Sequence, residues 1–175
     1  MPLSPAETHT DVTNWETKAH GTHAFPAACY LVELPGHRFK AHWHTELEFI
    51  TVVSGQIKLY AGARQFLLSE GMGAFLGTNV LHTAELAEHC RHAILRHTVF
   101  HPRLIGGYDG SIFWEKYLDP LTTDIEGAVR IFNVESDWQR EILALHTKVW
   151  ESIAQDWPGY EITARNNLSQ ILLIL

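Results

Sequence analysis

Between residues 27 and 100 the chain alternates short apolar runs with turn signals: "ACYLVEL" then Pro35-Gly36, "LEFITVV" then Ser54-Gly55, "QIKLY" then "AGA", "RQFLL" then Ser69-Glu70-Gly71, "GAFL" then Gly77-Thr78-Asn79, "VLHTAEL", and "CRHAILRHTVF". Many short, evenly spaced strands predict an antiparallel barrel or sandwich. After His101-Pro102 the pattern shifts: "SIFWEKYLDPL" predicts a short helix, and "VRIFNV" a late strand or loop. Ser136 and Gln139 have the spacing of a capping box. Beyond them Trp138, Ile142, Leu145, Val149 and Ile153 recur at three- and four-residue steps, one face of a helix that Trp157-Pro158-Gly159 ends. A second helix is expected from Tyr160 or Glu161 to the last residue. Residues 1–24, polar with Pro2 and Pro5, read as a flexible N-terminal arm. This divides the chain into an arm (1–24), a β region (25–135) and a helical region (136–175).

The closing "QILLIL" is apolar on every side, which is costly in water. It predicts a partner surface or a continuation past Leu175, with packing against the chain's own barrel as the plainer alternative. The 175 residues suit one ordinary domain, and 46% hydrophobic content allows a real core. No run is long enough to span a bilayer and the N-terminus has no secretory pattern, so a cytoplasmic protein without membrane contact is expected. The net charge of −7 gives no general attraction for nucleic acid. Cys29 and Cys90 are far apart, which predicts two thiols rather than a disulfide or a structural zinc site.

Chemistry enters at "HRFKAHWHTELEFITVVSG". Residues two apart on a strand share a face, so His42 and His44 point together, joined by Arg38 and Lys40 in parity. Glu48, Ile50 and Val52 share a face of the next strand, and His82 begins a later one. Three imidazoles and a carboxylate suit a first-row divalent ion such as zinc, iron, manganese or nickel, with two positions left open on an octahedral ion. The same groups suit a hydroxylated or anionic small ligand. Arg38 is a weaker ligand candidate, able to pair a carboxylate or hydroxyl. Trp43, of opposite parity, should pack outside the barrel under a helix. Trp114, Trp138 and Trp150 read as core or interface aromatics. His89, His92, His97 and His101 match no ligand template and are expected in solvent. "GYDG" is a turn, lacking the lysine and helix start of a phosphate loop.

The intervals Gly36, His42, His44, Glu48, Gly55 resemble the first cupin motif. Gly71 and His82 fall in register with the second, where Gly77, Asn79 and Leu86 replace its proline, second glycine and asparagine. The resemblance implies a mainly β, cupin-type antiparallel barrel (jelly roll) with two C-terminal helices, and assigns metal positions to His42, His44, Glu48 and His82. The stretch from His42 to Leu86, and "WPGYEITARNNLSQILLIL", resemble the effector-sensing domain of AraC/XylS-type transcription regulators and the helix that follows it. That resemblance implies a sensor of a sugar or small acid bound by His42, His44, Glu48, His82 and Arg38, with no catalysis. It implies a homodimer through the C-terminal helices, and DNA contact only through a helix-turn-helix domain beyond residue 175. The rival from another class is a cupin metalloenzyme, a dioxygenase or isomerase.

Overall fold

A computed structural model describes residues 8–34, 39–123 and 127–175. Among the described residues eight strands form two antiparallel sheets. Five of them, in the order β1-β7-β2-β5-β8, comprise β1 (Ala27–Leu34), β7 (Ala93–Phe100), β2 (Leu47–Ser54), β5 (Gly73–Leu76) and β8 (Val129–Phe132). The other three, in the order β4-β3-β6, comprise β4 (Arg64–Ser69), β3 (Gln56–Ala61) and β6 (His82–Leu86). The inner faces meet in one core holding Tyr30, Val32, Ile50, Leu59, Leu68 and Leu95. This is the mainly β, cupin-type jelly roll that the motifs imply.

The larger sheet is covered on both faces. That is why β1 and β2 are apolar at consecutive positions instead of alternating. Leu47 and Phe49 point away from the inner core onto a helical layer with Phe75, Phe132, Ile142 and Val149, while Ile50 and Val52 point inward. β3, in the smaller sheet, alternates strictly, and β4, at an edge, buries only Leu68. The β2–β3 turn depends on Gly55 at φ +82°, where a Cβ would collide with the His92 carbonyl oxygen.

After β7 come the short α1 (Arg103–Gly106), a π-helical turn at Trp114–Leu118, and α2 (Asp119–Thr123). The helical hairpin is α3 (Asp137–Ala154) and α4 (Tyr160–Ile174), the two C-terminal helices the periodicity predicts. Details differ from the sequence reading. Ser136 is the N-cap by backbone shape, but no capping box forms. Its hydroxyl has no partner, and Gln139 Oε1 instead accepts from the Asn133 N–H at 2.6 Å. The buried stripe of α3 is Ile142, Leu143, His146, Val149, Trp150 and Ile153, and Trp138 stays 47% exposed beside Phe132. Trp150 is the aromatic that enters the core, its indole N–H donating to the Tyr30 carbonyl at 3.0 Å. Ile171 and Leu172 tuck into the chain's own core, the plainer of the readings of "QILLIL", while Leu173 remains 65% exposed. Among the described residues no helix is long and apolar enough to cross a membrane, and both cysteines are free.

The described part of the arm, residues 8–24, is not a detached tail. It lies across one end of the jelly roll. Trp43 N–H donates to the Asn14 carbonyl at 3.0 Å, and Glu16 N–H to the Trp43 carbonyl at 2.9 Å. Trp43 does pack outside the barrel, but under this arm and not under a helix: its ring meets Trp15 edge-on at 4.7 Å, and its indole N–H donates to the Thr13 carbonyl.

Candidate metal and ligand site

The segment before β2 and the start of β6 are joined through two of the expected ligands. His42 and His82 face each other in an antiparallel bridge, each N–H donating to the other's carbonyl at 3.0 and 2.9 Å. Phe39 extends the pairing to Ala84. His44 follows two residues on, the bend at Thr45-Glu46 turns the chain into β2, and Glu48 enters the interior at the second position of that strand. One ligand atom from each of His42, His44, Glu48 and His82 lies within 4.8 Å of the others. Arg38, the fifth residue expected here, falls outside the described residues.

Each imidazole is oriented by a backbone carbonyl. Nδ1 of His42 lies 2.9 Å from the Lys40 carbonyl, that of His44 3.2 Å from Glu46, and that of His82 2.8 Å from Val80. A carbonyl only accepts, so Nδ1 carries the proton in each ring and Nε2 of the neutral imidazole presents a lone pair. Those nitrogens converge on Glu48: its Oε2 lies 3.0 Å from His82 Nε2 and 3.4 Å from His44 Nε2. His44 Nε2, His82 Nε2 and Glu48 Oε2 are all buried and none has a hydrogen-bond partner. Several acceptor atoms aimed at one buried point, with no donor between them, are costly unless a cation or a donor-bearing ligand joins them. Carbonyl-oriented imidazoles around a carboxylate are also how proteins arrange metal ligands. The residues present therefore fit a divalent ion.

The electrostatics agree. Burial lowers the His42 pKa to about 4, and neighbouring His82 adds to the effect, so His42 is neutral near pH 7. Burial disfavours the Glu48 carboxylate, but N–H groups turned toward it by His44, His82 and His97 outweigh that cost and hold it well below the ordinary carboxylate range, so with the rings in their carbonyl-oriented neutral form a cation must take the place of those protons. His97 is a correction to the sequence reading, which places it in solvent. On β7 it lies opposite Ile50, and its Nδ1 sits 2.5 Å from Glu48 Oε1. Its company on that face, Leu95 and Val99, is the signal that could have found it. His89 and His92 are exposed as expected, and half-buried His101 accepts from the Arg103 N–H.

Two further residues escape the sequence reading because they come from the arm. Glu16 and His20 are buried, Glu16 Oε2 lies 2.9 Å from His20 Nε2, and His20 Nδ1 lies 2.7 Å from the Tyr30 hydroxyl. Glu16 closes one side of a cavity of about 50 Å³ whose other walls include Val32, Phe39, Ile50, Leu59 and Val99. A single water needs roughly 10–15 Å³ by the same kind of measure, so this space suits an ion with a few waters or a ligand of a few heavy atoms.

Residues 25–161 match the family described as the AraC-like ligand binding domain. The chain belongs to that family. It is also 24% identical over 155 residues to the uncharacterized HTH-type transcriptional regulator YdeC of Bacillus subtilis (strain 168), over 84% of this chain and 50% of that protein. The chain thus spans about half the length of this curated relative. Among solved structures it is similar to an RmlC-like cupin family protein with a double-stranded β-helix fold from Methanocaldococcus jannaschii (13% identity, TM-score 0.41, covering 43% of this chain and 70% of that one). It is also similar to a point mutant of Bacillus subtilis oxalate decarboxylase (20% identity, TM-score 0.38, 43% and 21%).

Proposed function

We propose that this domain is the effector-sensing part of an AraC-type transcription regulator. In this reading residues 25–135 bind a small polar effector, and residues 136–175 pair two protomers and lead towards DNA-binding units outside residues 1–175. The observation that carries the ligand site is the set of buried, partnerless acceptors on His44, His82 and Glu48 around a small apolar-walled cavity. His42, His44, Glu48 and His82 bind the effector, directly or through a divalent ion that they would hold. Such an ion would act as a Lewis acid toward an anionic or hydroxylated ligand. His97 holds Glu48 in position, the backbone carbonyls fix the imidazole tautomers, and the apolar walls exclude water. Arg38 remains a candidate contact to an effector carboxylate. The cavity volume favours a small acid over a sugar, since pockets for larger ligands run to roughly 300–1,000 Å³.

The helical hairpin supports the dimer reading. Ile162 and Leu173 stand 68% and 65% exposed on the same side of α4, about three turns apart. The protein acts in the cytoplasm, and residues 1–175 neither bind DNA specifically nor turn over substrate. The rival, a cupin metalloenzyme, draws on the same preset imidazoles.

One experiment separates them. Metal content is measured on the purified protein, followed by thermal unfolding with a panel of small carboxylic and hydroxy acids and by assay of oxygen uptake with the same panel. A sensor gives a raised Tm with no turnover. A ligand at a hundred times its Kd stabilises by about 2.7 kcal/mol, or roughly 5–10 °C for a domain of this size. Turnover that depends on stoichiometric metal would replace the sensor with the enzyme.

A further inference from the structure

The arm brings a second carboxylate to the site, and its placement is built, not incidental. The arm's backbone pairs with both the N–H and the carbonyl of Trp43, the residue between His42 and His44. Asp11 Oδ1 gathers the N–H groups of Thr13 and Trp15, and Trp15 packs on Trp43. The next residue is Glu16, only 6% exposed. Its Oε2 lies 3.8 Å from His42 Nε2, the nitrogen whose lone pair the Lys40 carbonyl leaves facing the site. His20, itself backed by Tyr30, steadies the same oxygen. Ligating carboxylates are commonly held by an outer hydrogen-bond partner in this way.

Charge argues in the same direction. Three neutral imidazoles and Glu48 around a divalent ion leave one net positive charge in a buried, largely apolar cavity, which is unfavourable. Glu16 cancels it. Four ligands from the barrel also leave coordination positions open, and Glu16 borders the site on the His42 side.

We propose that Glu16 is a fifth metal-ligating group, delivered by the N-terminal arm, so that metal uptake and arm closure are one linked equilibrium. The proposal rests on the metal reading of the site. Linkage then requires that the factor by which the closed arm tightens metal binding equal the factor by which metal favours closure.

The test uses the 175-residue chain with Co²⁺ alone as probe. Affinity is read by competition with a chromophoric chelator, coordination by the visible absorption of Co²⁺, and arm closure by the rate of proteolysis within residues 8–24. Glu16→Gln keeps the side chain's size and a partner for His20. It is expected to weaken Co²⁺ binding by about 100-fold or more, at or above the roughly 10–100-fold range of groups that only support a ligand, and a smaller loss with an unchanged spectrum would mark Glu16 as such a supporting group. It should also intensify the absorption as the coordination number falls. In the unaltered chain Co²⁺ should slow arm cleavage by about the same factor, and in Glu16→Gln it should not. Equal affinity and an unchanged spectrum in Glu16→Gln would overturn the proposal. So would arm cleavage in the unaltered chain that is indifferent to Co²⁺, a measurement that needs no variant to fold. Failure of the unaltered chain to take up Co²⁺ at all would instead overturn the metal reading on which the proposal stands.

Discussion

Substituting His146 by Gln should remove part of the domain's acid sensitivity. His146 is fully buried on α3, stacked on Phe49 at 4.4 Å between ring centroids, with Nε2 3.0 Å from the Thr98 hydroxyl and Nδ1 without a partner. Burial, aided by His97 and Arg96, pushes its pKa down from 6.5 to about 3. The folded state therefore holds His146 neutral while the unfolded chain protonates it below 6.5. Between these values the unfolded state binds more protons, so stability is fully present above pH 6.5 and is lost as pH falls towards 3. At pH 5 the unfolded form gains about 1.5 pH units' worth of protonation that the folded form does not, or about 2 kcal/mol. Glutamine can still bond the Thr98 hydroxyl but does not titrate. Its cost from lost stacking, about 1–2 kcal/mol, is the same at every pH. Urea unfolding at pH 8 and pH 5, in chelator, gives the comparison. The unaltered domain should lose about 2 kcal/mol more than His146→Gln between these pH values, while the other histidines contribute equally to both and cancel. Equal losses in the two proteins would refute the assignment of a neutral, buried His146.

Three further outcomes follow. His82→Ala should weaken Co²⁺ binding by more than ~100-fold, beyond the range known for outer-shell partners, as read by chelator competition. Phe49→Ala, which empties a site packed by Phe75, Phe132 and His146, should lower the unfolding free energy by about 3–5 kcal/mol in urea. Gly55→Ala must resolve the collision with the His92 carbonyl at a positive φ; its thermal midpoint should fall, and a midpoint within 1–2 °C, about 0.5 kcal/mol, would show that the turn adapts freely.

The strands, the helical hairpin and the convergence of the four candidate ligands are legible because each rests on a short-range rule: period-2 parity, three- and four-residue recurrence, or ligand spacing. What the sequence hides depends on which surfaces meet. His97 groups with His92 and His101 by nearness along the chain, yet its parity with Leu95 and Val99 turns it inward, while the other two lie beyond the ends of β7. His146 escapes an apolar tally because it is polar, although the interval from Ile142 through His146 to Val149 and Ile153 is a regular helical stripe. Trp138 carries the apolar label but stays half exposed, its ring edge-on to Phe132 at the end of edge strand β8. Glu16 and His20 carry no periodic signal; only the arm's pairing with Trp43 brings them to the pocket.

The reciprocal backbone bonds between His42 and His82 have one more consequence. Two of the candidate donors are sewn together by a backbone bridge at the start of β6, so chain folding, and not an ion, brings that pair together. If the site takes an ion, chelation should remove it and leave the jelly roll standing, with its cooperative melt intact. This is unlike the small metal-dependent folds that collapse to random coil when their ion is withdrawn.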